Sequence, residues 1–349
     1  LIFDLHPKEK VEELIGREKE VEFTISQLLS GNWVLIAGQR EIGKTSLMKV
    51  VLNETRKRHG IKGIYLNLRG IQSLYSLLSL LISQINKERV NFKIKVSINF
   101  IFTSAGIEIK KGSKVVTSLI ELLNSLDETV IAFDEVQEIS NVSRQFLDVL
   151  GNVYATNKNA HIMFSGSYVG LVQTLLNPPS SSPLHGRSPV EIRLKPFDRD
   201  TSVYFLKRGM KEANVSFDRY EEVVNKLDGI VGWLTLFGNF YAIRKMGYEE
   251  ALRQTIEEGK KIMIDEFNHF LSDKRNRELY LTIMEVLKFA KRWKEIKTGV
   301  EVKLGEKIED KSLSIALKNL VNYNFVTKVD EEYRISDPIL REVDFLSLR

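Results

Sequence analysis

The chain has 349 residues, 43% hydrophobic and 28% charged, with a formal net charge of +5, which describes a mildly basic globular protein long enough for two or three domains. It has no cysteine and only five isolated histidines, which excludes disulfides, thiol nucleophiles and cysteine-ligated metal and leaves no histidine cluster to hold an ion. No run approaches about 18 consecutive apolar residues, and "LIFDLHPKEK" does not read as a signal peptide, so no membrane contact and a cytoplasmic location are expected.

In chain order, residues 17 to 30 read as an amphipathic helix ending at Gly31. The short apolar strand "WVLIA" follows, then "GQREIGKTS" at 38 to 46, which opens the helix "KTSLMKVVLNETRKR". A strand at 61 to 68 and a helix at 71 to 86 come next, by apolar spacing. Residues 92 to 112 alternate and are rich in β-branched residues, which predicts a hairpin insertion. A helix to Leu126 precedes the strand "TVIAFDE", and a helix at about 141 to 156 precedes the strand "HIMFSG". The segment 176 to 189 holds four of the seven prolines and reads as a loop before the strand "VEIRLKPF". Everything from 198 to about 271 looks helical. Strands alternating with helices predict an α/β fold, a parallel sheet with helices on both faces, whose functional edge is the C-terminal ends of the strands.

The stretch at 38 to 46 fits G-x-x-x-x-G-K-[ST] through Gly38, Gly43, Lys44 and Thr45, in a strand–loop–helix context. Glycines let the backbone wrap an anion, so the N–H groups of Gln39, Arg40, Glu41, Ile42 and Ser46 are candidate phosphate donors too. Lys44 is expected to reach the terminal phosphates, and the Thr45 hydroxyl to bind Mg²⁺. "TVIAFDEVQ" ends a buried strand in two carboxylates. Asp134 is the candidate metal acid and Glu135 the candidate base that polarises an attacking water; the bland alternative is a strand leaving the core. If the strand "HIMFSG" lies between those two, Ser165 or Ser167 comes near the γ-phosphate. Arg187 in "LHGRSP" is the candidate charge-neutralising arginine, in its own subunit or a neighbour's; an ordinary exposed loop arginine is the competing reading. "NKLD" at 225 to 228 fits a guanine-binding motif, but it lies in a helically spaced segment far from the loop, so adenine is expected instead.

The last part differs. Three helical stretches, "RELYLTIMEVLKFAK", "WKEIKTGVEVKLG" and "DKSLSIALKNLVNYN", the last with Asp310 or Ser312 as cap, precede a hairpin tipped at Asp330 to Glu332. That order predicts a winged helix, whose third helix can enter a major groove. Lys291 and Arg292 of a basic cluster at 288 to 297, with Lys311, Lys318 and Asn322 on the third helix, are the candidate DNA contacts. Residues 273 to 349 carry 16 basic against 14 acidic residues, so a lid or protein-docking role competes with DNA contact.

Taken together, these motifs resemble the archaeal P-loop ATPases among the signal-transduction ATPases with numerous domains, relatives of AAA+ replication initiators. "IGRE" at 15 to 18 is similar to the family's entry motif, which implies that Ile15, Gly16 and Arg17 lie near the adenine. "GSYVGLV" and "LHGR" resemble its sensor region and arginine, "GIVGWL" at 229 to 234 its helical motif, and "YRISDPILR" the end of its winged helix. Val231 stands where the family usually has proline, a position the resemblance implies contacts the base. The implied organisation is a P-loop ATPase core over 1–197, a helical lid over 198–272 and a winged helix-turn-helix over 273–349. The implied behaviour is a slow ATP/ADP-dependent switch with Mg²⁺, whose partners are adenine nucleotide, duplex DNA or a DNA-bound protein, and other copies of itself in a nucleotide-dependent way. An ADP-holding protein with negligible turnover is the alternative. A small-molecule kinase is disfavoured, because the 176–189 loop has a single arginine.

Overall fold

The computed structural model describes residues 1–90, 99–103, 106–110, 112, 114–167, 171–272 and 274–348. The expected hairpin at 92–112 and the expected sensor segment 166–172 therefore lie partly outside the described residues. Two compact units form, one from His6–Lys195 and one from Leu1–Leu5 with Pro196–Arg349.

The first unit runs α1 (Glu18–Leu29), β1 (Val34–Ala37), α2 (Lys44–His59), β2 (Lys62–Asn67), α3 (Leu74–Glu88), β3 (Phe100–Thr103), β4 (Gly106–Ile109), α4 (Val115–Ser125), β5 (Thr129–Asp134), α5 (Ser143–Thr156), β6 (Ala160–Gly166), α6 (Leu171–Leu176) and β7 (Val190–Arg193). Five strands make one parallel sheet in the order β2-β5-β6-β1-β7. Successive side chains of a strand point to opposite faces. Leu35, Ile131, Phe133, Ile162 and Phe164 accordingly pack on one side with Leu77, Leu119, Phe146 and Leu171 of α3 to α6. Val34, Ile36, Val130, Ala132 and Met163 pack on the other with Val21, Ile25, Met48 and Val51 of α1 and α2. Coverage of both faces is why these strands read as continuous apolar runs rather than alternating ones. The β3–β4 hairpin is tied to α3 by Asn86, whose amide exchanges two hydrogen bonds with the Ile107 backbone. A one-turn-per-three-residue helix at Val136–Val142 and helix α6 were not expected from the sequence.

The second unit holds α7 (Arg199–Glu212), α8 (Tyr220–Leu227), α9 (Val231–Gly238) with a π turn at Asn239–Ile243, α10 (Tyr248–Leu271), α11 (Arg277–Val286), α12 (Trp293–Leu304), α13 (Asp310–Asn322), β8 (Val326–Val329), β9 (Glu332–Ile335) and α14 (Pro338–Arg341). Helices α11 to α13 and the β8–β9 hairpin form the winged helix. The N-cap of α13 is Glu309 rather than Asp310 or Ser312; the Asp310 carboxylate is engaged by Lys297 at 2.6 Å instead. Asn225 to Leu227 form the last turn of α8, with Asp228 its left-handed cap, so "NKLD" is a helix end.

The helical segment and the winged helix pack into one unit around Asp337, which is 2% exposed. Its carboxylate accepts from Trp233 Nε1 at 3.0 Å and caps α14 through Ile339 N at 2.8 Å. Burial pushes this carboxyl up to about 6, with the Trp233 and backbone donors pulling it back down. The folded chain therefore holds an extra proton between the unfolded value of 3.8 and about 6. The contribution to stability rises as pH falls through about 6 and is complete below about 4. Urea unfolding should show the chain gaining about 1 kcal/mol more between pH 7 and pH 5 than Asp337→Asn gains. An equal gain in both proteins would remove Asp337 as the titrating group.

Candidate active site

The loop between β1 and α2 turns on Gly43, whose φ of 96° is closed to most side chains, and it packs too closely for a Cβ at Gly38, which would stand 3.0 Å from the Leu194 carbonyl oxygen. Glu41 also takes a positive φ, 59°. Burial pushes its carboxyl above the ordinary range, with Arg40 and Lys44 acting the other way. Ile42 is 1% exposed in the core under the loop, so its side chain serves packing and only its backbone can face a ligand. Lys44 is buried and folds back over the loop, donating to the carbonyls of Gly38 at 3.1 Å and Gln39 at 2.9 Å. The Gln39 side-chain nitrogen is buried with no hydrogen-bond partner among the described residues. A buried donor without an acceptor is costly, so the loop has an open requirement for an acceptor such as a phosphate oxygen. Ser46 faces away from this arrangement in one respect: its hydroxyl accepts from Lys8 N at 3.0 Å.

The carboxylates stand at the C-terminal end of β5. Asp134 is 1% exposed and saturated. Its Oδ2 accepts from Thr45 Oγ1 at 2.8 Å and Tyr65 Oη at 2.6 Å, and its Oδ1 from Glu135 N at 3.1 Å and the Ser165 hydroxyl. Glu135 has φ 59°, a conformation that costs a non-glycine residue free energy and recurs at functional positions. Gln137 Nε2 donates to its carboxylate, and Arg69 lies 3.8 Å from it. β6 does lie between β5 and β1, with Ser165 opposite Ile36, and Ser165 is spent on Asp134 and on Glu135 N at 3.4 Å. Ser167 is buried just past the end of β6.

The residues fit Mg²⁺ as a P-loop site takes it. Two hard oxygen donors, Thr45 Oγ1 and Asp134 Oδ2, meet at 2.8 Å beside the loop. Among the described residues there is no group of three or more His, Cys, Asp or Glu that could cage an ion unaided, and Mg²⁺ shared with phosphates needs none.

Other candidates fall elsewhere. Gly16 precedes α1 with φ 73°, Ile15 is buried, and Arg17 donates to the Lys195 carbonyl at 2.6 Å and pairs with Glu20. Burial draws the Arg17 guanidinium below its ordinary value. Val231 is the first residue of α9, in the second unit. Arg187 is exposed, with its guanidinium 5.3 Å from the Tyr154 ring centroid. Tyr154 packs on Trp33, just before β1, and β7 starts opposite Val34. Arg187 thus sits at the strands' N-terminal edge, while the phosphate loop leaves the C-terminal edge. That geometry opposes action on phosphate held by its own loop and agrees with the competing reading of an ordinary exposed loop arginine. In the winged helix, Lys291 and Arg292 join the start of α12 to β9, through Lys291 O and an Arg292–Glu332 bridge. Lys311 and Lys318 are exposed on α13 and Asn322 half-buried at its end. Tyr65, Arg69 and Gln137 were missed. Gln137, two residues after Glu135, carries the one readable signal.

Comparison with known proteins agrees with this geometry. Residues 14–237 match the family described as an ATPase domain predominantly from Archaea, and residues 274–336 match the C-terminal winged helix-turn-helix domain of MCM protein. A solved Walker-type ATPase of Pyrococcus abyssi, paby2304, is 32% identical, with TM-score 0.80 over 98% of this chain and 99% of that one. The Aeropyrum pernix ORC2 protein, solved as ADPNP–ADP complexes, is 14% identical with TM-score 0.65, over 99% of this chain and 98% of its own. Cdc6p from Pyrobaculum aerophilum is 13% identical with TM-score 0.52, over 99% and 97%. The last two establish likeness of fold. Comparison with curated proteins gave no match.

Proposed function

The chain belongs to the family of ATPase domains found predominantly in Archaea, and from that premise we propose that it is a slow, adenine-specific ATP switch. The observation that carries this is the Thr45–Asp134 hydrogen bond, which joins the phosphate loop to the end of β5 with Glu135 next in sequence. In this reading the N–H groups of residues 38–46 and the Lys44 ammonium bind the phosphates. Thr45 and Asp134 hold Mg²⁺, which when bound supplies neutralisation of phosphate charge. Glu135 accepts the proton of the attacking water. Slowness follows from the resting contacts: Lys44 must leave two carbonyls and Glu135 must leave Gln137 before either can act. Ile15 to Arg17 are the proposed surroundings of the base. The proposed domains are the core to 197, a helical lid to 272 and the winged helix beyond. The test is calorimetry with ADP and GDP, followed by phosphate release from Mg·ATP. ADP should bind clearly tighter and turnover should be measurable; equal affinity for GDP would overturn the adenine assignment.

The winged helix is proposed to touch duplex DNA weakly. Lys288 and Lys297 of the basic cluster are ion-paired within the domain, and Glu331 and Glu332 of the wing hold Lys328 and Arg334. That leaves Lys291, Lys294, Lys311 and Lys318 as the main phosphate contacts, so log affinity should fall with log salt at a slope of roughly −3.6, about −0.9 for each of the four. Changing Lys311 and Lys318 to Glu should flatten the slope and leave basal ATP turnover unchanged. A second reading has support of its own: Ile315 on α13 is 49% exposed and Phe289, before α12, is 80% exposed. If labelled duplex does not bind at low salt with ATP, ADP or neither, the domain is a protein-docking module.

A further inference from the structure

Tyr65 is the only one of the four donors to Asp134 that belongs neither to the phosphate loop nor to the ends of β5 and β6. It stands on β2 opposite Ala132, and its hydroxyl donates to Asp134 Oδ2 at 2.6 Å. A carboxylate accepts about four hydrogen bonds, and Asp134 has four: Thr45 and Tyr65 on Oδ2, Glu135 N and Ser165 on Oδ1. The four are not equivalent. Under the proposed function, on which this inference rests, the Thr45 hydroxyl would offer a lone pair to the metal while its proton stays available to Asp134. The two donors on Oδ1 belong to the backbone turn and β6. Tyr65 is the donor on Oδ2 that has no part in holding metal or phosphate. The ring is itself held: it packs against the core on the α2 side, with Lys49 Nζ 5.3 Å from its centroid.

We propose that Tyr65 is a positioning residue for the metal-holding carboxylate, fixing Asp134 Oδ2 in the orientation at which Mg²⁺-nucleotide is held. A carboxylate with one unrestrained oxygen can rotate about its terminal bond, which spreads its charge away from the ion. The effect belongs to the metal-dependent part of binding and not to the phosphate loop.

Tyr65→Phe removes only the hydroxyl and keeps the ring. ADP binding is measured by calorimetry in EDTA and over a range of Mg²⁺ concentrations, beside Asp134→Asn, with thermal unfolding of each protein. In EDTA, Tyr65→Phe should bind ADP within about twofold of the wild type. The Mg²⁺ concentration for half-maximal enhancement should rise about five- to tenfold, the scale of one ordinary net hydrogen bond, since the carboxylate keeps its other donors. Asp134→Asn should lose the enhancement. Loss in Asp134→Asn with a wild-type Mg²⁺ requirement in Tyr65→Phe overturns the role of Tyr65 alone. Retention of the enhancement in Asp134→Asn overturns the site reading and this inference with it. Weaker ADP binding by Tyr65→Phe in EDTA to the same degree as in Mg²⁺ makes the residue structural and also overturns it. Where the phenylalanine variant unfolds early, the same Mg²⁺ titrations are run at a temperature at which it is folded, and the same outcomes decide.

Discussion

Glu135→Gln is expected to bind ATP with wild-type affinity and to cleave it at least about a hundredfold more slowly. A positioned general base contributes on the order of 10² to 10⁴ in rate, and an amide cannot take up the proton that the attacking water must lose. The local structure should survive, because Glu135 is half-exposed and its strained φ of 59° belongs to the backbone turn, not to the carboxylate. Gln137 would then face an amide oxygen where it now faces a carboxylate oxygen, a bond that persists in weaker form. Asp134→Asn should behave differently. It removes a buried charge that four donors address, so one of those hydroxyls or the Glu135 N–H meets an amide N–H instead of an oxygen. Mg²⁺-dependent affinity should go with it. Phosphate release and calorimetry on the two variants separate the roles. Normal turnover in Glu135→Gln would move the base elsewhere, and Arg69 or Gln137 would not replace it, since neither accepts a proton at neutral pH.

Much of this site was legible because its parts are local. A phosphate loop is a contiguous segment, and the geometry of glycines, lysine and threonine follows from chain order alone. The acid pair was legible because a strand buried on both faces has no business ending in two carboxylates unless they face something. The strand order was legible only as a condition: β6 had to insert between β5 and β1 for Ser165 or Ser167 to come near the phosphate loop, and the Ser165–Asp134 bond was not foreseen. Tyr65 and Arg69 were not legible, because their relation to the acid pair comes from parallel pairing between strands distant in sequence, Asn67 beside Asp134; Gln137 lies two residues from Glu135 and was within reach of chain order. Arg187 shows what chain order leaves open: a residue just before a parallel strand sits at the edge opposite the loop, which the sequence does not say. In the winged helix, helix order was readable from apolar spacing, while the ion pairs that occupy Lys288 and Lys297 required the fold.

Lys44→Ala should abolish turnover and weaken ADP and ATP binding by at least about a hundredfold, without unfolding the chain. Each charge-assisted hydrogen bond to phosphate contributes roughly 1.5–3 kcal/mol, and an ammonium reaching two phosphates makes more than one. Stability should change little. The two carbonyls that Lys44 now satisfies, those of Gly38 and Gln39, lose one donor each, and that loss is the cost to be offset. The wild type also keeps a cation almost wholly out of solvent, at 6% exposure, which is costly without a counter-charge. Removing it offsets the lost hydrogen bonds. Lys44→Arg should be nearly as damaging as alanine, because the planar guanidinium fork is wider than the space between the loop and α2 that a compact ammonium fills. Calorimetry with ADP and ATP and thermal unfolding of both variants decide the matter. Wild-type affinity in Lys44→Ala would remove the phosphate loop as the nucleotide site. An early-unfolding Lys44→Ala beside a stable Lys44→Arg that binds nucleotide normally would make the lysine a structural staple of its own loop.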